Sequence, residues 1–120
     1  MPTDVSPQGL FGDVYNYSSY KMVIAKWDNV GGGTCKIWNQ YAGTTASSKT
    51  VKCTTRDVSP GGTDPSTWDT DLFTLVVPYS LSIDGVYVGV KPANTYTRIQ
   101  DNQIAECYTD QDGTYCLVTT

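Results

Sequence analysis

Apolar and polar positions alternate along this chain in short runs, and the most apolar stretch lies between Asp71 and Lys91, DLFTLVVPYSLSIDGVYVGVK. It holds two runs, Leu72 to Val77 and Val86 to Lys91, whose Val, Leu, Phe and Tyr suit a pleated, largely buried surface. Pro78 cannot donate to a ladder and Asp84-Gly85 favours a tight turn, so the two runs predict neighbouring antiparallel strands. From Tyr15 to Trp27, YNYSSYKMVIAKW, Met22 and Ile24 fall on one face of an extended chain and Val23, Ala25 and Trp27 on the other. That pattern predicts a strand covered on both sides. Asp28 to Gly33, with three consecutive glycines, ends it.

Two more strands, Thr34 to Asn39 and Ser48 to Thr55, flank a polar loop, and Tyr96 to Ile99 adds another before a closing hairpin. Arg98 to Cys107 lacks a stripe of period 3.6 and reads as strand or turn. Residues 1–14, with Leu10 and Phe11 as their apolar anchors, read as an irregular arm. Asp57 to Thr70 is too rich in Gly, Pro and polar residues for a strand. Within it, Asp64-Pro65-Ser66-Thr67-Trp68 predicts a short helical turn, with Asp as N-cap and Pro at the first helical position. The expected fold is a single all-β domain over residues 1–120: an antiparallel β-sandwich or barrel with a short helical turn and two disulfides.

Four cysteines, Cys35, Cys53, Cys107 and Cys116, show no C-x-x-C spacing, and the chain contains no histidine to complete a zinc site. Disulfides are the expected state, and with them a secreted, extracellular protein. Cys35 and Cys53 lie equidistant from residue 44, so they face each other if the flanking strands pair about that point. Cys107 and Cys116 flank Asp110-Gln111-Asp112-Gly113 in the same way, which makes both expected bridges local, although a bridge between the two hairpins stays open. Residues 1–4 have neither the basic start nor the apolar run of a signal peptide, so export implies a leader removed ahead of Met1. Asn16-Tyr17-Ser18 matches the glycosylation pattern and makes Asn16 a candidate acceptor.

A net charge of −4 with no basic stripe argues against nucleic acid, because neutralising phosphates needs clustered cations. No stretch is long and apolar enough to insert in a membrane. The absence of histidine removes the usual general base and the commonest metal ligand. Asp69 and Asp71 are spaced to share one strand face, as an acid and base pair would be, but also as strand-start carboxylates in water are. Asp110 to Gly113 resembles the start of a calcium loop without its later acidic ligand, and reads as a hairpin turn. No metal and no cofactor is expected.

Aromatic residues beside amides and carboxylates are the remaining signal: Trp38, Asn39 and Tyr41 in one segment, Trp68 and Asp69 in another. A flat apolar ring next to hydrogen-bonding groups matches a sugar, whose CH face is apolar and whose rim carries hydroxyls. These five residues are the candidate contacts of a lectin-like, non-enzymatic protein binding a glycan or glycoprotein. The alternatives are an inhibitor or effector that docks its 57–70 loop on a protein target, and a small carboxylate-dependent hydrolase.

Overall fold

Met22–Lys26 is apolar on both faces because it forms a wall between two hydrophobic cores. The computed structural model describes residues 12–120, and among these the chain is all β, with no helix. Its strands are β1 (Asp13–Tyr17), β2 (Met22–Lys26), β3 (Gly33–Ile37), β4 (Lys49–Val58), β5 (Leu72–Leu75), β6 (Tyr79–Ile83), β7 (Val86–Lys91), β8 (Thr95–Arg98), β9 (Ile104–Asp110) and β10 (Gly113–Thr119). Strands β2-β4-β3-β8-β5 close into a barrel, and β1-β9-β10-β6-β7 form an open sheet laid against it.

The barrel interior is filled by Ala25, Cys35, Ile37, Val51, Cys53, Leu72 and Tyr96, with Val23 and Trp27 packed against them. Between barrel and sheet lies the second core. Met22 and Ile24 from β2, and Phe73 and Leu75 from β5, meet Val14, Tyr79, Leu81, Ile83, Ala105 and Val118 from the sheet. Two polar groups in this layer are paired: the Tyr79 hydroxyl donates to the Thr95 carbonyl at 2.6 Å, and the Trp38 indole N–H donates to the Thr97 hydroxyl at 2.8 Å. Burial drives the Tyr79 phenol far above its ordinary pKa, so it stays a neutral donor.

The sheets are mixed rather than purely antiparallel: β1 runs parallel to β9, β6 to β10 and β3 to β8. Several expectations change with this topology. The two runs of the central stretch are not neighbours. β5 pairs with β2 and β8 inside the barrel, whereas β7 pairs with β6 in the sheet. Pro78 stands where the chain crosses from one to the other. Tyr79–Ile83, between the two predicted runs, is itself a strand with Tyr79, Leu81 and Ile83 inward and Ser80 and Ser82 outward. Asp84 and Gly85, with φ of 48° and 82°, make the expected hairpin turn, but from β6 into β7.

Both expected disulfides are present, which suits an oxidising compartment. Cys107 and Cys116 are direct cross-strand partners with Cα atoms 4.0 Å apart. Cys35 instead lies opposite Val51, and Cys53 opposite Gly33, so that bridge is a diagonal with a Cα separation of 6.0 Å. The strand β1 begins at Asp13, inside the stretch read as an irregular arm; residues 1–11 lie outside the described residues. A bend at Ser18 to Tyr20 divides the first long strand into β1 and β2.

The expected helical turn is a β-turn, closed by the Trp68 N–H donating to the Pro65 carbonyl at 2.9 Å. Asp64 does not cap it. Its carboxylate is turned inward, accepting from the Val14 N–H at 3.2 Å and the Thr70 hydroxyl at 2.6 Å, which pins the loop to β1. Asn16 is also a brace. Fully buried, it donates from its amide nitrogen to the Tyr20 and Val58 carbonyls, so the folded domain presents no glycosylation acceptor there.

Truncating the shared wall costs core packing. Ile24→Ala is expected to lower stability by about 2–5 kcal/mol. Val30→Ala, at a position 81% exposed, is expected to stay within about 0.5 kcal/mol. Chemical denaturation with the disulfides intact measures both, and equal small losses would contradict the two-sided role of β2.

Candidate functional site

The five residues singled out by sequence do not converge on one site. Trp38 is 7% exposed in the layer between barrel and sheet, with the Lys91 ammonium 3.7 Å from its ring centroid. Asn39 is fully buried; its amide donates to the Gly43 and Arg98 carbonyls, and its oxygen accepts the Arg98 N–H at 2.7 Å. Both side chains are structural. Tyr41, by contrast, is 76% exposed on the loop after β3. Trp68 is partly buried against the core, with the Lys26 ammonium 4.4 Å and the Arg56 guanidinium 5.6 Å from its ring. Those cations occupy a ring that a bare stacking platform would leave open.

Asp69 joins Asp71 and Asp101 at one end of the barrel, where a carboxylate oxygen from each lies within 4.8 Å of the others. Asp71 is held from two directions: its N–H donates to the Ala25 carbonyl at 3.0 Å, and its carboxylate accepts the Trp27 N–H at 2.9 Å. Trp27, Asn29, Asp71 and Arg98 line a hollow of about 190 Å³. The Arg98 guanidinium covers the Trp27 ring at 4.7 Å and donates to the Gln40 carbonyl at 2.6 Å. Nearby, Asp28 ties down the glycine turn by accepting the Val30 and Gly31 N–H groups, and a Cβ at Gly31 would collide with the Cys53 carbonyl. Asp69, Asp71 and Asp101 are the residues that could hold a cation. They supply three of the six or more oxygens a calcium or magnesium ion takes, and Lys26 and Arg98 already offset their charge.

A different arrangement occupies the outer face of the sheet. One register row crosses all five strands: Tyr17 on β1, Tyr108 on β9, Tyr115 on β10, Ser80 on β6 and Val90 on β7. The tyrosines stack in sequence, Tyr17 on Tyr108 and Tyr108 on Tyr115, each at 5.3 Å between centroids with interplanar angles of 26° and 22°. Tyr15 extends the stack from Tyr17 at 6.1 Å. The row of rings stops at Ser80, whose side chain is too small to continue it. The space left beside Tyr115 is a cavity of about 340 Å³ lined by Pro78, Ser80, Val90, Asp110, Asp112, Thr114 and Tyr115. The Asp110–Gly113 segment is the expected hairpin turn, in which the Asp110 carboxylate accepts the Asp112 N–H at 2.8 Å.

Sequence reasoning missed these tyrosines, although a signal was present. Tyr108 and Tyr115 are adjacent to Cys107 and Cys116, so the symmetry that pairs the cysteines also pairs the tyrosines. Strand alternation then sends the disulfide inward and the rings outward.

Partly or fully buried carboxylates link this architecture to pH. Desolvation, with repulsion from Asp64, pushes Asp13 up to about 6. Desolvation likewise raises Asp64, Asp69 and Asp71, whereas hydrogen bonds from Thr54 and the Val30 N–H lower Asp28. A carboxyl whose folded pKa lies above its unfolded one favours the fold more as pH falls through the folded value. Melting temperature is therefore expected to rise from pH 7.5 to about pH 5. Asp28 acts in the opposite sense, and its contribution is lost only below the ordinary Asp value of about 4. Thermal melts of the protein and of Asp13→Asn check this: the variant should lose much of the slope, and stability falling monotonically from pH 7.5 would contradict it.

Comparison of the chain with protein-family models, with curated proteins and with solved structures finds no match.

Proposed function

We propose that this protein is a secreted, non-enzymatic, lectin-like module that binds a glycan where the tyrosine row on the outer sheet face ends. The observation that carries the proposal is the interrupted stack. Tyr115 rests on Tyr108 on one side and borders a ring-sized cavity on the other. A pyranose presents an apolar CH face suited to that ring, and its hydroxyls find acceptors and donors in Ser80, Thr114, Asp110 and Asp112. The disulfides support an extracellular setting.

The other readings draw less support. A docking loop should stand away from the body, yet the segment after β4 lies along β1: Asn16 and Gly62 are hydrogen-bonded at 2.9 Å, and Gly61 and Asn16 at 2.7 Å. A carboxylate hydrolase would use Asp69 and Asp71, but the hollow beside Asp71 is small and the Trp27 indole that lines it is covered by Arg98.

A glycan array followed by calorimetric titration tests the proposal. Tyr115→Ala is expected to weaken binding at least tenfold, about 1.4 kcal/mol or more, while Tyr115→Phe keeps the ring and the affinity. Binding unaffected by Tyr115→Ala would remove the site. New reducing ends in the mixture would favour the hydrolase, and binding lost in EDTA and restored by calcium would transfer the role to Asp69, Asp71 and Asp101.

A further inference from the structure

We infer that the site continues as a trough along β6 and takes a linear glycan chain of at least two consecutive rings rather than a single terminal sugar; this rests on the glycan reading above. The outward residues of β6 are both serines, Ser80 and Ser82, whereas the strands on either side carry large ones in the same rows. Ser80 lies between Tyr115 and Val90, and Ser82 between Leu117 and Tyr87. The result is a channel with a floor of hydroxyls and apolar walls.

The walls exist because of an irregularity in β7. Tyr87 and Val90 are three residues apart, and regular alternation would send them to opposite faces. The register shift between Leu81 and Ser82, with Gly89 at φ of 94°, inserts an extra residue, so Val88 packs inward while Tyr87 and Val90 both stand on the outer face. They are 63% and 59% exposed, and Leu117 opposite is 36% exposed.

Dimensions select the occupant. The walls on β10 and β7 are two strand spacings apart, roughly 9 to 10 Å. Contact distances of about 3.5–4 Å on each face leave room for one ring standing on edge, parallel to Tyr115. A linear chain of equatorially linked pyranoses extends in the plane of its rings. Here that plane runs along β6, so the ring after the one over Ser80 extends toward Ser82, which lies about 7 Å further along the strand. Among the described residues, the charged side chains lining the cavity are Asp110 and Asp112, so an uncharged chain fits and a polyanion does not.

The test uses the full protein and two neutral series, β-1,4-linked glucose and β-1,4-linked N-acetylglucosamine, from one to six residues long, titrated by calorimetry. In the series that binds, affinity is expected to rise at least tenfold between one and three residues and then level off. Tyr87→Ala should remove that gain and leave the single sugar unchanged. Ser82→Tyr, which fills the second position, should do the same, whereas Ser80→Tyr should abolish binding at every length while the melting temperature holds or rises. Equal affinity at all lengths, or a gain that survives both Tyr87→Ala and Ser82→Tyr, would overturn the trough while leaving the single-ring site standing. No binding by either series at any length would overturn both.

Discussion

Strands β2 and β5 must satisfy two hydrophobic cores at once, and the arrangement of the domain follows from that demand. Met22, Ile24, Phe73 and Leu75 point at the sheet, while Val23, Ala25 and Leu72 point into the barrel. A strand with apolar residues on both faces is stable only when both faces are covered. Closing the barrel covers one and docking the sheet covers the other. Each core also contains a disulfide, Cys35–Cys53 inside the barrel and Cys107–Cys116 between the layers, so cross-links reinforce both sides of the shared wall.

With its inner face committed to the barrel, the sheet has one face left for other uses. The barrel has no edge, and β1 is covered by the segment through Gly61 and Thr63, which hydrogen-bonds along it. The outer face carries stacked tyrosines, which gain cross-strand contact and keep their polar rims near water. An unbroken row of five large residues would be purely structural. Serines on β6 interrupt it, and the bulge in β7 restores a far wall, which turns a stabilising feature into a concave surface.

Much of the local structure was legible in the residues. The two-sided pattern of Met22 to Trp27, the Asp84-Gly85 turn and the spacing of both cysteine pairs each depend on neighbours within one hairpin or one strand, where alternation and turn chemistry dominate. Trp68 and Asn39 were less legible. Their types suit a binding surface, but whether a ring is bare or covered depends on Lys26 and Arg56 from other strands, and whether an amide is available depends on Arg98, distant in sequence.

By itself, the sequence determined an all-β chain, the spacing that favours two local disulfides and the strand whose both faces are buried, because periodicity and turn propensity act over a few residues. The tertiary structure decided which strands became neighbours: β5 went to the barrel and β6 with β7 to the sheet, with parallel pairings that join segments far apart in the chain. It also decided the candidate site. A row running from Tyr17 through Tyr108 and Tyr115 to Ser80 and Val90 exists only once five strands are in register, since hydrogen bonding between strands, not spacing along the chain, brings those side chains to one line.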